Sequence, residues 1–143
     1  MVNFKIDGRE LTAPKGTTIL EAAEKAGIPI PHLCFLKGVN EIGACRMCVV
    51  EIEGTNRLVP SCDTTIVEGM VIHTNTPRVR QARRVNMHLL LSQHRSECTS
   101  CIRSGNCELQ TMAHDLNVHV QPYEVKPERY TIDVDNPIIR DAS

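Results

Sequence analysis

The sequence predicts an α+β chain: a small β-sheet unit over residues 1–75, a small helical unit over 76–117 and an extended tail over 118–143. Three observations predict it. The chain opens on an alternating apolar pattern, the period of a half-buried strand. A Thr-Pro pair at 76–77 starts a long helical pattern. Seven cysteines and one of six histidines fall into two spaced donor sets, one in each unit, with no thiol left over.

Val2, Phe4 and Ile6 alternate with polar residues, and Asp7-Gly8 turns the chain into Arg9–Ala13, a β-hairpin signal. Thr17 or Thr18 can cap a helix that carries Ile19, Leu20, Ala22, Ala23 and Ala26, and Gly27 is placed to end it. Pro29 and Pro31 then force an extended segment leading to Cys34. Hairpin, helix and cysteine-bearing loop follow one another as in a β-grasp ferredoxin-like domain. Cys48–Glu53 reads as a strand leaving the cysteine loop. Gly54-Thr55-Asn56 turns the chain into Arg57–Ser61, which delivers Cys62, and Met70–His73 supplies a closing strand. Thr76 caps a helix from Pro77 to about Gln93, with Val79, Ala82, Val85 and Leu89 as its buried stripe. Its last turn carries His94 into the second cysteine group. Glu108–Leu116 reads as a short helix. Beyond Val118, prolines at 122, 127 and 137 predict an extended tail that lies on the body or on a partner.

The first donor set is Cys34, Cys45, Cys48 and Cys62, spaced C-x10-C-x2-C-x13-C. The second is His94, Cys98, Cys101 and Cys107, spaced H-x3-C-x2-C-x5-C. Two complete four-ligand sites of soft and borderline donors are the arithmetic of two iron–sulfur clusters. In the first set, Cys45 and Cys48 point two sulfurs at one metal region, while Cys34 and Cys62 arrive from separate loops to complete a second iron. Gly43, Ala44 and Met47 keep that loop small, so backbone N–H groups can approach the inorganic sulfides. Zinc is the competing reading, although zinc ribbons usually offer two C-x2-C knuckles and this set has one. In the second set three cysteines suit three irons of a cubane, with His94 as the fourth ligand. A Cys3His zinc site competes here, as does a three-cysteine cluster with His94 as bystander, and His88 is a rival donor. His32, close to Cys34, is a candidate hydrogen-bond donor to a cluster sulfur.

Aromatic residues make up 3% of the chain with no Trp, so aliphatic side chains and Met must fill the core. Metal ligation supplies staples that such a core lacks. A net charge of −1 without a long charged run argues against nucleic acid or a membrane surface as the main partner. No apolar run approaches the roughly 20 residues a bilayer span needs. The N-terminus reads as a strand rather than a signal peptide, and the odd cysteine count argues against a pure disulfide framework. Cytoplasmic localisation with reduced thiols is the expectation. No nucleotide-binding glycine motif, flavin site or catalytic base is visible, so the chain is expected to pass electrons and to carry no catalytic residue of its own. Arg78, Arg80, Arg83 and Arg84 form a basic cluster, read either as a docking face for an acidic partner or as a solvated helix face.

Taken together, several segments resemble the N-terminal iron–sulfur region of the large iron–sulfur subunit of respiratory complex I and of multimeric iron-only hydrogenases. They are Pro31-His32-Leu33-Cys34, Gly43-Ala44-Cys45-Arg46-Met47-Cys48-Val49-Val50-Glu51, Pro60-Ser61-Cys62, His94-Arg95-Ser96-Glu97-Cys98 and Gly105-Asn106-Cys107-Glu108-Leu109-Gln110. Some NAD-linked formate dehydrogenases share this region. The resemblance implies a 2Fe–2S cluster on Cys34, Cys45, Cys48 and Cys62, and a 4Fe–4S cluster on His94, Cys98, Cys101 and Cys107. It implies a hetero-oligomer in which the chain relays single electrons between a flavin- and NAD(P)-binding subunit and a further redox subunit. Relatives continue into a run of further cysteine motifs, whereas this sequence stops at Ser143. It is therefore similar either to a fragment of an iron-only hydrogenase large subunit or to the small iron–sulfur subunit of Stn-type electron-bifurcating transhydrogenases. A free, diffusible ferredoxin and a zinc-stabilised interaction module are the alternatives.

Overall fold

A computed structural model describes residues 1–94, 96–120, 122 and 123. The hairpin β1 (Val2–Ile6) and β2 (Arg9–Ala13) forms as the sequence predicts, with Asp7 and Gly8 both at positive φ in the turn. Strands β3 (Val49–Ile52), β4 (Leu58–Pro60) and β5 (Val71–His73) complete a five-stranded sheet of order β2-β1-β5-β3-β4. The β1–β5 pairing is parallel and the others are antiparallel. Helix α1 (Ile19–Lys25) starts with a complete capping box: Glu21 N–H donates to Thr18 Oγ1 and the Thr18 N–H to the Glu21 carboxylate. Its apolar residues Ile19, Leu20, Ala22 and Ala23 pack on Phe4, Ile6, Val50 and Ile72 to make the first core.

Two further helices follow, α2 (Pro77–Ser92) and α3 (Glu108–Asp115). Thr76 caps α2 as expected, accepting from Val79 N–H. The buried face of α2 differs from the expected stripe. Val79, Arg83 and Met87 are buried, with Leu90 and Leu91 half-buried beside them, whereas Val85 and Leu89 are exposed. Residues four apart stack on one face of a helix, so Val79 selects positions 83 and 87 and turns 85 and 89 outward. Met47, Met87 and Val118 form a second core, covered by Leu33, Cys45, Leu109, Met112 and Leu116 among others. Of the expected tail, only 118–120, 122 and 123 lie within the described residues, and Val118 closes this second core. Among the described residues, no helix is long and apolar enough to cross a membrane.

Candidate metal centres

Three separate pieces of chain bring the first donor set together. Cys34 follows the extended 28–33 segment and is held by a turn in which Asn40 Nδ2 donates to the Cys34 carbonyl at 2.8 Å. Lys37, in the same turn, donates to the Glu21 carboxylate and ties the loop to α1. Cys62 sits in the loop after β4, and the N-terminus of α1 fixes that loop. The otherwise unpaired N–H groups of Ile19 and Leu20 donate to the Thr64 and Ser61 carbonyls, both at 2.9 Å. Cys45 and Cys48 flank Arg46, a non-glycine residue at φ 55°, whose carbonyl accepts from Asn86 Nδ2 on α2 at 2.7 Å.

Two short contacts link the set across its loops. Cys45 N–H donates to Cys34 Sγ at 3.4 Å, and Cys48 Sγ lies 3.3 Å from Cys62 Sγ. Cys45 and Cys48 thus each meet a cysteine from another loop, Cys45 through its backbone amide and Cys48 through its thiol. Their environments also differ. Burial pushes the Cys45 thiol up, but backbone hydrogen bonds from Met47, Leu33 and Cys34 outweigh it and hold it below the usual thiol range. Burial, then the neighbouring Cys48, Cys34 and Cys45 groups, push Cys62 up to about 12.

The second set is strung along one loop between α2 and α3. His94, just past the end of α2, is exposed; Cys98 and Cys107 are half-buried and Cys101 is exposed. Arg103 N–H donates to Cys101 Sγ at 3.4 Å, and Gln110 Oε1 accepts from Gly105 N–H at 3.1 Å, which braces the loop against α3. Cys107 is the N-cap of α3 and makes no side-chain cap, so the positive end of that helix dipole faces the donor loop. Among the described residues, no three His, Cys, Asp or Glu side chains converge as a single-ion site requires. His88 meets Tyr123 edge-on at 6.4 Å. His32 shares a 3.0 Å contact between Nδ1 and the Ile30 carbonyl; a carbonyl can only accept, so Nδ1 is the donor there and is not free for a cluster sulfur.

A cleft of about 430 Å3 takes lining from both sets. Cys34 and Cys45 of the first set and His94 of the second line it, together with Leu33, Leu90, Gln93 and Leu109. Helix α2 positions both walls by running backward along β3 and the cysteine loop. Thr76 bonds Glu51 at 2.7 Å, Arg83 bonds the Val49 carbonyl at 2.8 Å and Asn86 bonds the Arg46 carbonyl. Met87 packs with Met47, and Leu90, Gln93 and His94 then reach the cleft.

The basic cluster resolves into separate roles. Arg78 donates to the Asn56 carbonyl, Arg80 to the Asn75 carbonyl and Arg84 to the Leu116 carbonyl, while Arg83 is buried. The expected four-residue docking face is therefore incomplete, because Arg83 belongs to the interior. The sequence reading missed Asn86 as part of the site and placed Arg83 only in the basic cluster. Placing Arg83 between Val79 and Met87 at intervals of four was the available signal.

The donor chemistry and the backbone fit iron–sulfur ligation. All seven cysteines are free, and Gly43 beside Cys62 takes a left-handed backbone, φ 61°, that residues with a side chain disfavour. Fold and donors together define an iron–sulfur protein with two cluster-binding regions. Residues 1–77 match the 2Fe–2S iron–sulfur cluster binding domain family, and the chain belongs to it. Residues 83–122 match the NADH-ubiquinone oxidoreductase-G iron–sulfur binding region.

Individual relatives are long. The NADP-reducing hydrogenase subunit HndD of Solidesulfovibrio fructosivorans is 43% identical over 99% of this chain, which spans 25% of that relative. The NADPH-Fe(3+) oxidoreductase subunit alpha of Geobacter sulfurreducens is 41% identical over 97% of this chain and 16% of its own length. The chain thus spans a quarter or less of these two relatives. The structure of an NAD+-reducing NiFe-hydrogenase in its H2-reduced state superposes with a TM-score of 0.85 at 30% identity, over 95% of this chain and 57% of the other.

Proposed function

We propose that Cys34 and Cys45 hold one iron and Cys48 and Cys62 the other iron of a 2Fe–2S centre, and that His94, Cys98, Cys101 and Cys107 hold a 4Fe–4S centre. The observation that carries this reading is the convergence of the first set, with Cys48 Sγ 3.3 Å from Cys62 Sγ and the Cys45 backbone N–H on Cys34 Sγ at 3.4 Å, beside a cleft that His94 also lines. Bound centres of this kind take up and pass on single electrons. The chain's own residues fix the geometry. Leu33, Leu90 and Leu109 give the cleft an apolar lining, α2 holds the cysteine loop through Arg83 and Asn86, and Gly43 supplies the left-handed turn beside Cys62. The imidazole of His94 brings no negative charge, so the second centre has a higher potential than an all-thiolate one would have.

The protein that contains this chain works as a cytoplasmic electron relay within a hetero-oligomeric oxidoreductase complex, between a flavin- and NAD(P)-binding subunit and a further redox subunit. Relatives that are themselves named as subunits support the reading. So do the exposed Leu36, Val39 and Ile42 beside the first set and Ile102, 98% exposed, beside the second, which are suited to burial against partners. Electron bifurcation rests on the resemblance to transhydrogenases alone and is a property of the flavin partner. Anaerobic isolation of the native protein, with metal and sulfide analysis and mass spectrometry of what travels with it, tests the reading. Iron, acid-labile sulfide and a co-purifying flavin subunit are expected, and the third member separates hydrogenase from transhydrogenase. Zinc without sulfide overturns the clusters; a lone brown protein points to a diffusible ferredoxin.

A further inference from the structure

Among the described residues, Arg83 is the one charged side chain that the fold buries, at 5% exposure. It sits on the inner face of α2, and its Nη2 donates at 2.8 Å to the carbonyl of Val49, the residue after Cys48. Its Nε is buried without an acceptor. Among the described residues it forms no salt bridge. Taking a charge out of water costs several kcal/mol unless an opposite charge is at hand, so such an arginine calls for a counter-charge. The anionic groups whose field reaches it are Cys48 and Asp7. Asp7 is already engaged: its carboxylate accepts from Thr74 N–H at 2.8 Å and from Thr74 Oγ1 at 2.5 Å. Of the two, Cys48 acts on Arg83 the more strongly, and Cys48 belongs to the first donor set.

We propose that Arg83 is the built-in counter-ion of the 2Fe–2S centre, a fixed cation that stabilises its reduced form and so raises its reduction potential. The inference rests on the ligand reading given above. Four thiolates leave the centre anionic, and the single electron it accepts adds one further negative charge. A nearby fixed cation interacts more favourably with the more negative state, so the reduced form gains more from Arg83 than the oxidised form does. No proton accompanies the electron at Arg83. Burial pushes its guanidinium down to about 10, against Cys48 and Asp7, which still leaves it fully charged at neutral pH. The second set lies beyond the end of the same helix and should feel the charge far less.

The test is a redox titration of the full chain carrying both clusters, followed by EPR, with iron and sulfide content as the check on loading. Arg83→Met replaces the cation by an unbranched apolar side chain. Its 2Fe–2S reduction equilibrium constant should fall at least tenfold, which for one electron is a potential lower by about 59 mV. Arg83→Lys should return most of that shift, and the 4Fe–4S potential should stay where it was. Should Arg83→Met fail to load, Arg83→Gln keeps a donor for the Val49 carbonyl without the charge and carries the same expectation. An unchanged 2Fe–2S potential in a loaded Met or Gln variant, or an equal shift of both centres, overturns the proposal. A wild-type chain with no 2Fe–2S signal overturns the ligand reading instead.

Discussion

A methyl group added at Gly43 would meet Asp63 Cβ at 3.5 Å and Cys62 Sγ at 3.7 Å, on a backbone at φ 61° that side chains disfavour. The left-handed region costs a residue with a Cβ about 1–2 kcal/mol. Gly43→Ala should therefore lower urea stability by about that much and reduce the iron bound in the first set more than in the second. Equal iron loss from both would contradict this. The same few residues make the thiols chemically unequal. Cys45 is held below the usual thiol range by backbone donors, so at pH 7–8 more of it is thiolate; Cys62, at about 12, stays protonated throughout that range. In metal-free protein iodoacetamide should label Cys45 before Cys62, since the thiolate is the nucleophile, and metal loading should release the Cys62 proton. Mass spectrometry after timed quenching reads the order, and labelling of Cys62 first would refute it. None of this difference is written in the spacing, because it depends on which backbone N–H groups the folded loops aim at each sulfur.

Helix α2 is the element that joins the two donor sets, and its inner face makes it so. Met87 is fully buried against Met47, whereas Leu89 is 52% exposed. Met87→Ala should cost about 2–5 kcal/mol through lost burial and the cavity left behind. Leu89→Ala, on the outer face, should change stability by no more than about 0.5 kcal/mol. Urea unfolding of the two variants settles the comparison, and a reversal of their order would restore the stripe read from the sequence. That stripe was misjudged because the apolar residues of α2 outnumber its buried positions, and because an arginine occupies one of them. Its start was legible, since Thr76 and Pro77 carry cap chemistry that needs no tertiary context. The hairpin and α1 were legible for similar reasons: Asp7-Gly8, a threonine cap and Gly27 act within a few residues of one another.

Across the whole molecule, the sheet unit and the helical unit are not closed off from each other. Of the three buried residues of the second core, Met47 comes from the first unit's cysteine loop, and Leu33 and Cys45 pack around it. The spacing nominated the eight donors proposed here, while the contacts of Cys45 with Cys34 and of Cys48 with Cys62 join loops that spacing alone does not bring together. The shared core distinguishes two substitutions at adjacent positions. Cys48→Ala removes a proposed ligand whose side chain belongs to the first core, so it should abolish the 2Fe–2S EPR signal and leave the 4Fe–4S signal in place. Met47→Ala removes no ligand, yet it opens the second core beneath the cleft at a cost of about 2–5 kcal/mol. Through the flanking Cys45 and Cys48 it should also loosen the first donor set. Both signals should therefore weaken together in Met47→Ala, with iron content falling in step. If Met47→Ala instead spares the 4Fe–4S signal, the helical unit holds its shape without the cysteine loop and α2 alone carries the connection.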